Sequence, residues 1–311
     1  MRTSDRSDVR HVRVLFAACA VALTACSGAE EQAESVERTG EEAAAVTPAF
    51  DVTEQPADSI AFEETIAWAR ANQVDTLPIG EAIAALGRTF VGTPYIPQTL
   101  ELEGDERLIV NLRELDCVTF IENMLAIARV LRAGTPDYDS FKRELVRIRY
   151  RDGVLSGYAS RLHYFSEWIA DNEEKGIVDD VTLAIGGVPD TGGISFMTRN
   201  AEAYRQLSDP SVVDEIRTIE TTLTGRERHF IPQDAIEPIA QNIRNGDIIA
   251  ATSTLEGLDV AHTGYALWVD GRLHLMHAPL IGSVVEISEL PLADRLQRID
   301  AQDGIMVARP L

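Results

Sequence analysis

Spacing of the apolar positions divides the chain into two regimes. Phe62, Ile66, Trp68 and Ala69 recur at helical intervals, residues 79–90 repeat the pattern, and Phe120, Ile121, Met124, Leu125 and Ile127 predict a longer helix running to about residue 133. Gly134-Thr135-Pro136 stops it. Residues 138–149 and 161–172 predict two further amphipathic helices. From Gly246 the period shortens: residues 246–251, 260–269, 273–277, 284–287 and 305–308 are short β-rich runs separated by turn signals. A helical first half followed by an antiparallel meander predicts the α+β class. The intervening stretch, about 177–242, carries a β-like run at 181–185, Gly/Pro punctuation at 186–193, and helical patterns at 201–207 and 212–223; it is expected to be a helical insertion.

Ahead of this body the pattern is different in kind. Four arginines (Arg2, Arg6, Arg10, Arg13) precede an apolar run over residues 14–25, the layout of an export signal and shorter than the about 20 residues that span a bilayer. Leu23-Thr24-Ala25-Cys26 resembles a bacterial lipobox, which implies cleavage before Cys26 and lipid on its sulfur. Ser27 after that cysteine, by the same resemblance, implies the outer membrane of a Gram-negative cell, facing the periplasm. The Glu/Ala-rich stretch that follows, with Pro48 and Pro56, predicts a disordered acidic tether. The expected organisation is therefore a signal over 1–25, a tether over 26–61 and one domain over 62–311. Across all 311 residues the formal net charge is -22, and no Lys/Arg run interrupts it. Charge-driven binding to nucleic acid or to an anionic membrane surface is disfavoured.

The three cysteines are Cys19, Cys26 and Cys117, so the expected processing leaves Cys117 as the free thiol. Asp116 is a good N-cap and puts Cys117 in the first turn of the long helix, where unpaired N–H groups and the helix dipole favour a thiolate. That setting predicts a thiol pKa drawn from about 8.5 toward neutrality. A small buried hydrophobe is the competing role for such a residue. A nucleophilic thiol needs a base, and the base needs a polar group to orient it. Three of the six histidines fall in one predicted hairpin. Its Asp270-Gly271 turn pairs Val269 with Arg272, which sets Gly264 opposite His277 and puts His262 and His277 on one face, expected to be the face that meets Cys117, with His274 pointing away on the other. Cys117, His262 and His277 thus have the chemistry of a Cys-His site. Zinc is the competitor for such a set, but neither CxxC nor HExxH spacing occurs, and no metal or other cofactor is expected.

With these residues in place, Leu115-Asp116-Cys117-Val118-Thr119-Phe120, His262-Thr263-Gly264-Tyr265-Ala266 and Leu275-Met276-His277-Ala278-Pro279 resemble the motifs of NlpC-type, papain-like cysteine peptidases, and more closely their N-acetylmuramoyl-L-alanine amidase-like branch. Gly92-Thr93-Pro94-Tyr95, Ser160-Arg161-Leu162-His163-Tyr164-Phe165 and Gly246-Asp247-Ile248-Ile249 fit the same branch. The resemblance implies a papain-like fold with Cys117 as nucleophile, His262 as general base and His277 as orienter. It also implies Tyr95 near the oxyanion, with Asp116, Ser160 and Arg161 in substrate binding; a local ion pair is the alternative for Arg161. The implied partner is peptidoglycan or a muropeptide, cut between N-acetylmuramic acid and L-alanine. Cleavage between D-glutamate and a diamino acid, or non-catalytic wall binding, are the alternatives.

Overall fold

The computed structural model describes residues 50–311. Cys19, Cys26 and the expected export signal lie outside the described residues. The body begins before Phe62, which corrects the expected tether boundary. β1 (Val52–Thr53) pairs in parallel with β2 (Leu108–Ile109), and α1 (Pro56–Ala71) follows at once. The reason is Asp58. Its carboxylate is buried and accepts from the N–H of Gln55 at 2.8 Å, the N–H of Leu112 at 3.1 Å and Arg113 Nε at 3.0 Å. One acid of the Glu-rich segment therefore caps a helix and ties it to the chain ahead of Cys117.

The helices α2 (Ile79–Thr89), α3 (Cys117–Arg132) and α4 (Tyr138–Arg149) form where the apolar spacing places them. α5 (Phe165–Glu174) starts four residues later than its pattern, because residues 161–163 stay extended and Arg161 bridges to Tyr150. The 177–242 stretch is not wholly helical. It contains α6 (Phe196–Arg199), α7 (Pro210–Thr224) and α8 (Ile236–Ile239), but also β3 (Val178–Asp180), β4 (Val188–Asp190) and β5 (Arg228–Pro232). β3 and β5 both pair with the C-terminal strand, so much of the apparent insertion extends the main sheet.

That sheet continues with β6 (Ile248–Ser253), β7 (Val260–Val269), β8 (Arg272–His277), β9 (Glu286–Ile287) and, after α9 (Leu292–Leu296), β10 (Gln302–Pro310). The order is β4-β5-β10-β6-β7-β8-β9, with β3 also on β10, and the pairs are antiparallel. Alternation splits the strands between two cores. Ile248, Ala250, Tyr265, Leu267, Met276 and Met306 pack with α2, α3 and α4, whereas Ile249, Ala266, Leu275, Ile305 and Val307 pack with α8 and α9. A third cluster joins Tyr158 and Tyr164 to Met197, Ile216 and Leu223 of α6 and α7.

Candidate active site

Cys117 is the first residue of α3, and Asp116 caps that helix as expected: its carboxylate accepts from the N–H of Val118 at 3.1 Å and of Thr119 at 2.8 Å. Thr119 returns a hydrogen bond from its hydroxyl to that carboxylate at 2.9 Å, and accepts from the N–H of Asp116 at 2.9 Å. The thiol is half-buried and is the free cysteine among the described residues. Its pKa departs from expectation. Burial pushes it up to about 11, the Asp116 carboxylate adds to the rise, and the N–H and hydroxyl of Thr263 with Cys117's own N–H oppose it. Desolvation therefore outweighs the helix N-terminus, and the resting thiol is neutral.

The hairpin register is the one read from its turn: Val269 pairs with Arg272, Leu267 with His274 and Tyr265 with Met276. One pair further out, a Cβ on Gly264 would lie 2.9 Å from that of His277 and 2.7 Å from Leu275 Cδ1, so only glycine permits this approach. His262 and His277 meet as the register requires, with Nε2 of His262 2.7 Å from Nδ1 of His277. His274 is elsewhere, its Nδ1 against the carbonyl of Ser288 at 2.8 Å.

The sheet face differs from expectation. Thr263 and Tyr265 are the β7 residues that reach α3, donating hydroxyls to the carbonyls of Cys117 at 2.9 Å and Ile121 at 2.7 Å. The imidazoles lie on the opposite face, with Gly264 and Ala266 and near Arg295 of α9. A two-for-one bulge interrupts the β6–β7 ladder immediately before His262, and the β7–β8 pairing runs out at the same end. Cys117 thus meets β7 at its unladdered end through Thr263, one residue from His262. Among the described residues no hydrogen bond joins the thiol to an imidazole. Burial and the Arg295 charge lower His262 to about 3; burial, His262 and Arg295 lower His277 to about 2. Both rings are neutral near pH 7.

Tyr95 sits beside Cys117, joined to Leu115 by a parallel bridge. Burial, then the charges of Cys117 and Asp116, raises its phenol to about 12, so it remains a hydrogen-bond donor. Ser160 is not brought to the thiol; its hydroxyl closes a turn on the carbonyl of Gly157 at 2.6 Å. Arg161 is buried and spoken for by Glu101 at 2.6 Å, Glu106 at 3.5 Å and the Leu100 carbonyl at 3.0 Å. These contacts fit the local ion-pair alternative. Arg161 nevertheless lines, with Asp116, Val118, His163, Tyr204 and Leu258, a cavity of about 270 Å3 whose lining includes both chain neighbours of Cys117 but not Cys117 itself. His163 was not singled out by sequence. Its Nε2 donates to the Tyr158 carbonyl at 2.8 Å, and burial with the Arg161 charge holds it well below its ordinary pKa. A carbonyl only accepts, so the other nitrogen, Nδ1, is left as an acceptor.

Residues 85–305 match the family described as AmiA-like, N-acetylmuramoyl-L-alanine amidase-like. An N-acetylmuramoyl-L-alanine amidase of Bacteroides uniformis is 36% identical over 75% of this chain and 98% of its own, with a TM-score of 0.72. A Bacteroides fragilis protein described provisionally as a xylanase is 40% identical over 72% and 98%, with a TM-score of 0.69. Protein LPG0564 of Legionella pneumophila, at 21% identity over 81% and 97%, shares the fold with a TM-score of 0.58. No curated protein matches the chain.

Proposed function

Since this chain belongs to the N-acetylmuramoyl-L-alanine amidase-like family, a family of peptidoglycan-type amide hydrolases, we propose that it is a cysteine amidase of the NlpC-type, papain-like kind acting on peptidoglycan or its fragments. The favoured bond joins the lactyl group of N-acetylmuramic acid to L-alanine. The observation that carries this reading is the adjacency at β7: Thr263 holds the first residue of α3 while His262, its neighbour, hydrogen-bonds His277 at 2.7 Å.

The chemistry follows from two neutral partners. As Cys117 Sγ attacks the amide carbon, its proton passes to His262, so the thiolate need not exist beforehand. The carbonyl oxygen becomes an oxyanion, within reach of the N–H of Cys117 and the phenol of Tyr95. Its collapse breaks the C–N bond, the amine of L-alanine leaves with the proton from His262, and a thioester remains on Cys117. Water, losing its proton to the same imidazole, then releases the acid and restores the thiol. Approach of His262 to the thiol accompanies substrate binding, as hydrogen bonds in empty sites are often long. A glycosidase would instead need two carboxylates flanking the scissile bond, and the acid nearest Cys117 is committed to capping α3.

On this reading the enzyme is an exported lipoprotein held by lipid on Cys26, facing the periplasm from the outer membrane; Cys26→Ala should release it from the membrane fraction or leave it unprocessed. Digesting defined muropeptides and weighing the products tests the bond. Release of intact stem peptide beginning with L-alanine supports the amidase, release of a peptide beginning with the diamino acid shows the endopeptidase, and turnover by Cys117→Ala equal to wild type refutes both.

A further inference from the structure

The imidazole pair leaves one nitrogen without a partner. For His262 to take a proton from the thiol through Nδ1, its Nε2 must carry hydrogen and donate to His277 Nδ1. A neutral His277 then bears its own hydrogen on Nε2. That atom is buried and has no hydrogen-bond partner among the described residues, although orphaned buried donors are costly. Glu286 Oε1 lies 3.7 Å away, on the β9 residue that pairs directly with His277.

We propose, resting on the catalytic reading above, that Glu286 is a positioning residue whose carboxylate accepts the Nε2–H of His277, fixing the tautomer in which His277 receives a hydrogen bond from His262. The present separation is beyond a hydrogen bond, and a side-chain rotation closing about 0.8 Å makes one. Space for that carboxylate is built in: a Cβ on Gly282 would stand 3.1 Å from Glu286 Oε2, and Gly282 holds φ +114, so glycine lets the β8–β9 loop pass beside it. The charged or titratable groups facing His277 are His262 from β7, Glu286 from β9 and Arg295 from α9. Arg295 is a half-buried cation whose Nη1 also lacks a hydrogen-bond partner among the described residues, and it opposes any positive charge on either imidazole. Glu286 is the one carboxylate in this set.

The test is a double-mutant cycle on the full enzyme with a muropeptide substrate, joined to 15N spectra of the histidine rings. Asparagine at 277 can still accept from His262 but has no Nε2–H to give Glu286. Glu286→Ala should lower kcat about tenfold with KM little changed, and should cost less than about twofold in His277→Asn. Glu286→Gln, which keeps an acceptor oxygen, should recover most of kcat. The ring of His277 should be one Nε2–H tautomer in wild type and a mixture in Glu286→Ala. Equal losses in the two backgrounds, or an unchanged His277 spectrum in Glu286→Ala, would overturn the proposal. Wild type inert toward muropeptides would refute the amidase reading, and the ring spectra would still decide the role of Glu286.

Discussion

Alkylation of Cys117 as a function of pH tests whether burial or the helix N-terminus governs the thiol. The rise from 9.0 to about 11 comes chiefly from desolvation, with Asp116 second. Two pH units leave on the order of 100-fold less thiolate at pH 7 than an unshifted cysteine has. The thiolate of a more basic thiol is also more nucleophilic, with a Brønsted slope of about 0.4–0.5, which returns roughly eightfold. Cys117 should therefore react with iodoacetamide about tenfold more slowly than free cysteine at pH 7. Its rate should climb about tenfold per pH unit through pH 9 without levelling, because a group titrating near 11 is still mostly protonated there. The measurement is mass spectrometry of the peptide carrying residue 117 after timed quenching, which keeps any other cysteine out of the count. A rate faster than free cysteine at pH 7, levelling through an apparent pKa below about 8.5, would mean that a thiolate-imidazolium pair exists at rest. Thiol and imidazole would then not both be neutral at rest, and the proton transfer proposed above would be refuted.

Asp116→Asn keeps an N-cap of equal quality and removes the charge that raises the thiol, so alkylation near pH 8 should quicken severalfold with melting temperature nearly unchanged; no change in rate would show that Asp116 acts only as a cap. Gly264→Ala forces a methyl to within 2.9 Å of where His277 Cβ and Leu275 sit, an overpacking cost of about 1–3 kcal/mol in urea melts, and should depress kcat more than stability because it separates the imidazoles. Arg149→Met strands Glu122, which Arg149 holds at 2.6 Å in the core, and should cost about 3–5 kcal/mol. Burial already raises the Glu122 pKa and Arg149 counters it, so without Arg149 the acid binds its proton tighter still. Stability conferred by a raised carboxyl is present at low pH and is lost as pH rises. The Arg149→Met penalty should therefore grow from pH 5 to pH 8, and a penalty independent of pH would show that Glu122 is not the stranded group.

The parts of this fold legible in the sequence are those written in period and turn chemistry. α4 is bounded by Asp137, whose carboxylate caps Ser140 N–H at 2.8 Å, and its limits coincide with the apolar pattern. The β7–β8 register follows from Asp270-Gly271, where φ is +48 at Asp270 and +78 at Gly271, the double positive φ of the tight hairpin turn. That register alone separates His274 from the His262–His277 pair. The start of the body was not legible, because Asp58 reads as one more acid in a Glu-rich stretch until Leu112 and Arg113 are seen to converge on it. Nor was the 177–242 stretch: β3 and β5 are short and owe their strand form to β10, more than 70 residues downstream of either.

Electrostatics was the level that local pattern could not supply. A helix N-terminus lowers a thiol pKa only while solvent or a counter-charge shares the work, and the sequence shows the helix start but not the enclosing strand. Thr263 carries both facts at once. Its hydroxyl on the Cys117 carbonyl brings β7 down over α3, which buries the thiol, and its N–H partly restores what burial removes. The same closure half-buries His262 and buries His277 beside Arg295, so both imidazole pKa values fall as that of the thiol rises. Depression and elevation together keep the proton on sulfur at rest; on the proposed function it leaves only as a substrate carbonyl accepts the attack. A thiol held neutral in this way is protected against oxidation and stray electrophiles. On the proposed function, the rate then depends on how well the substrate completes the proton path, and substitutions at Val118, His163, Tyr204 or Leu258 in the neighbouring cavity should change selectivity between muropeptides more than they change thiol alkylation.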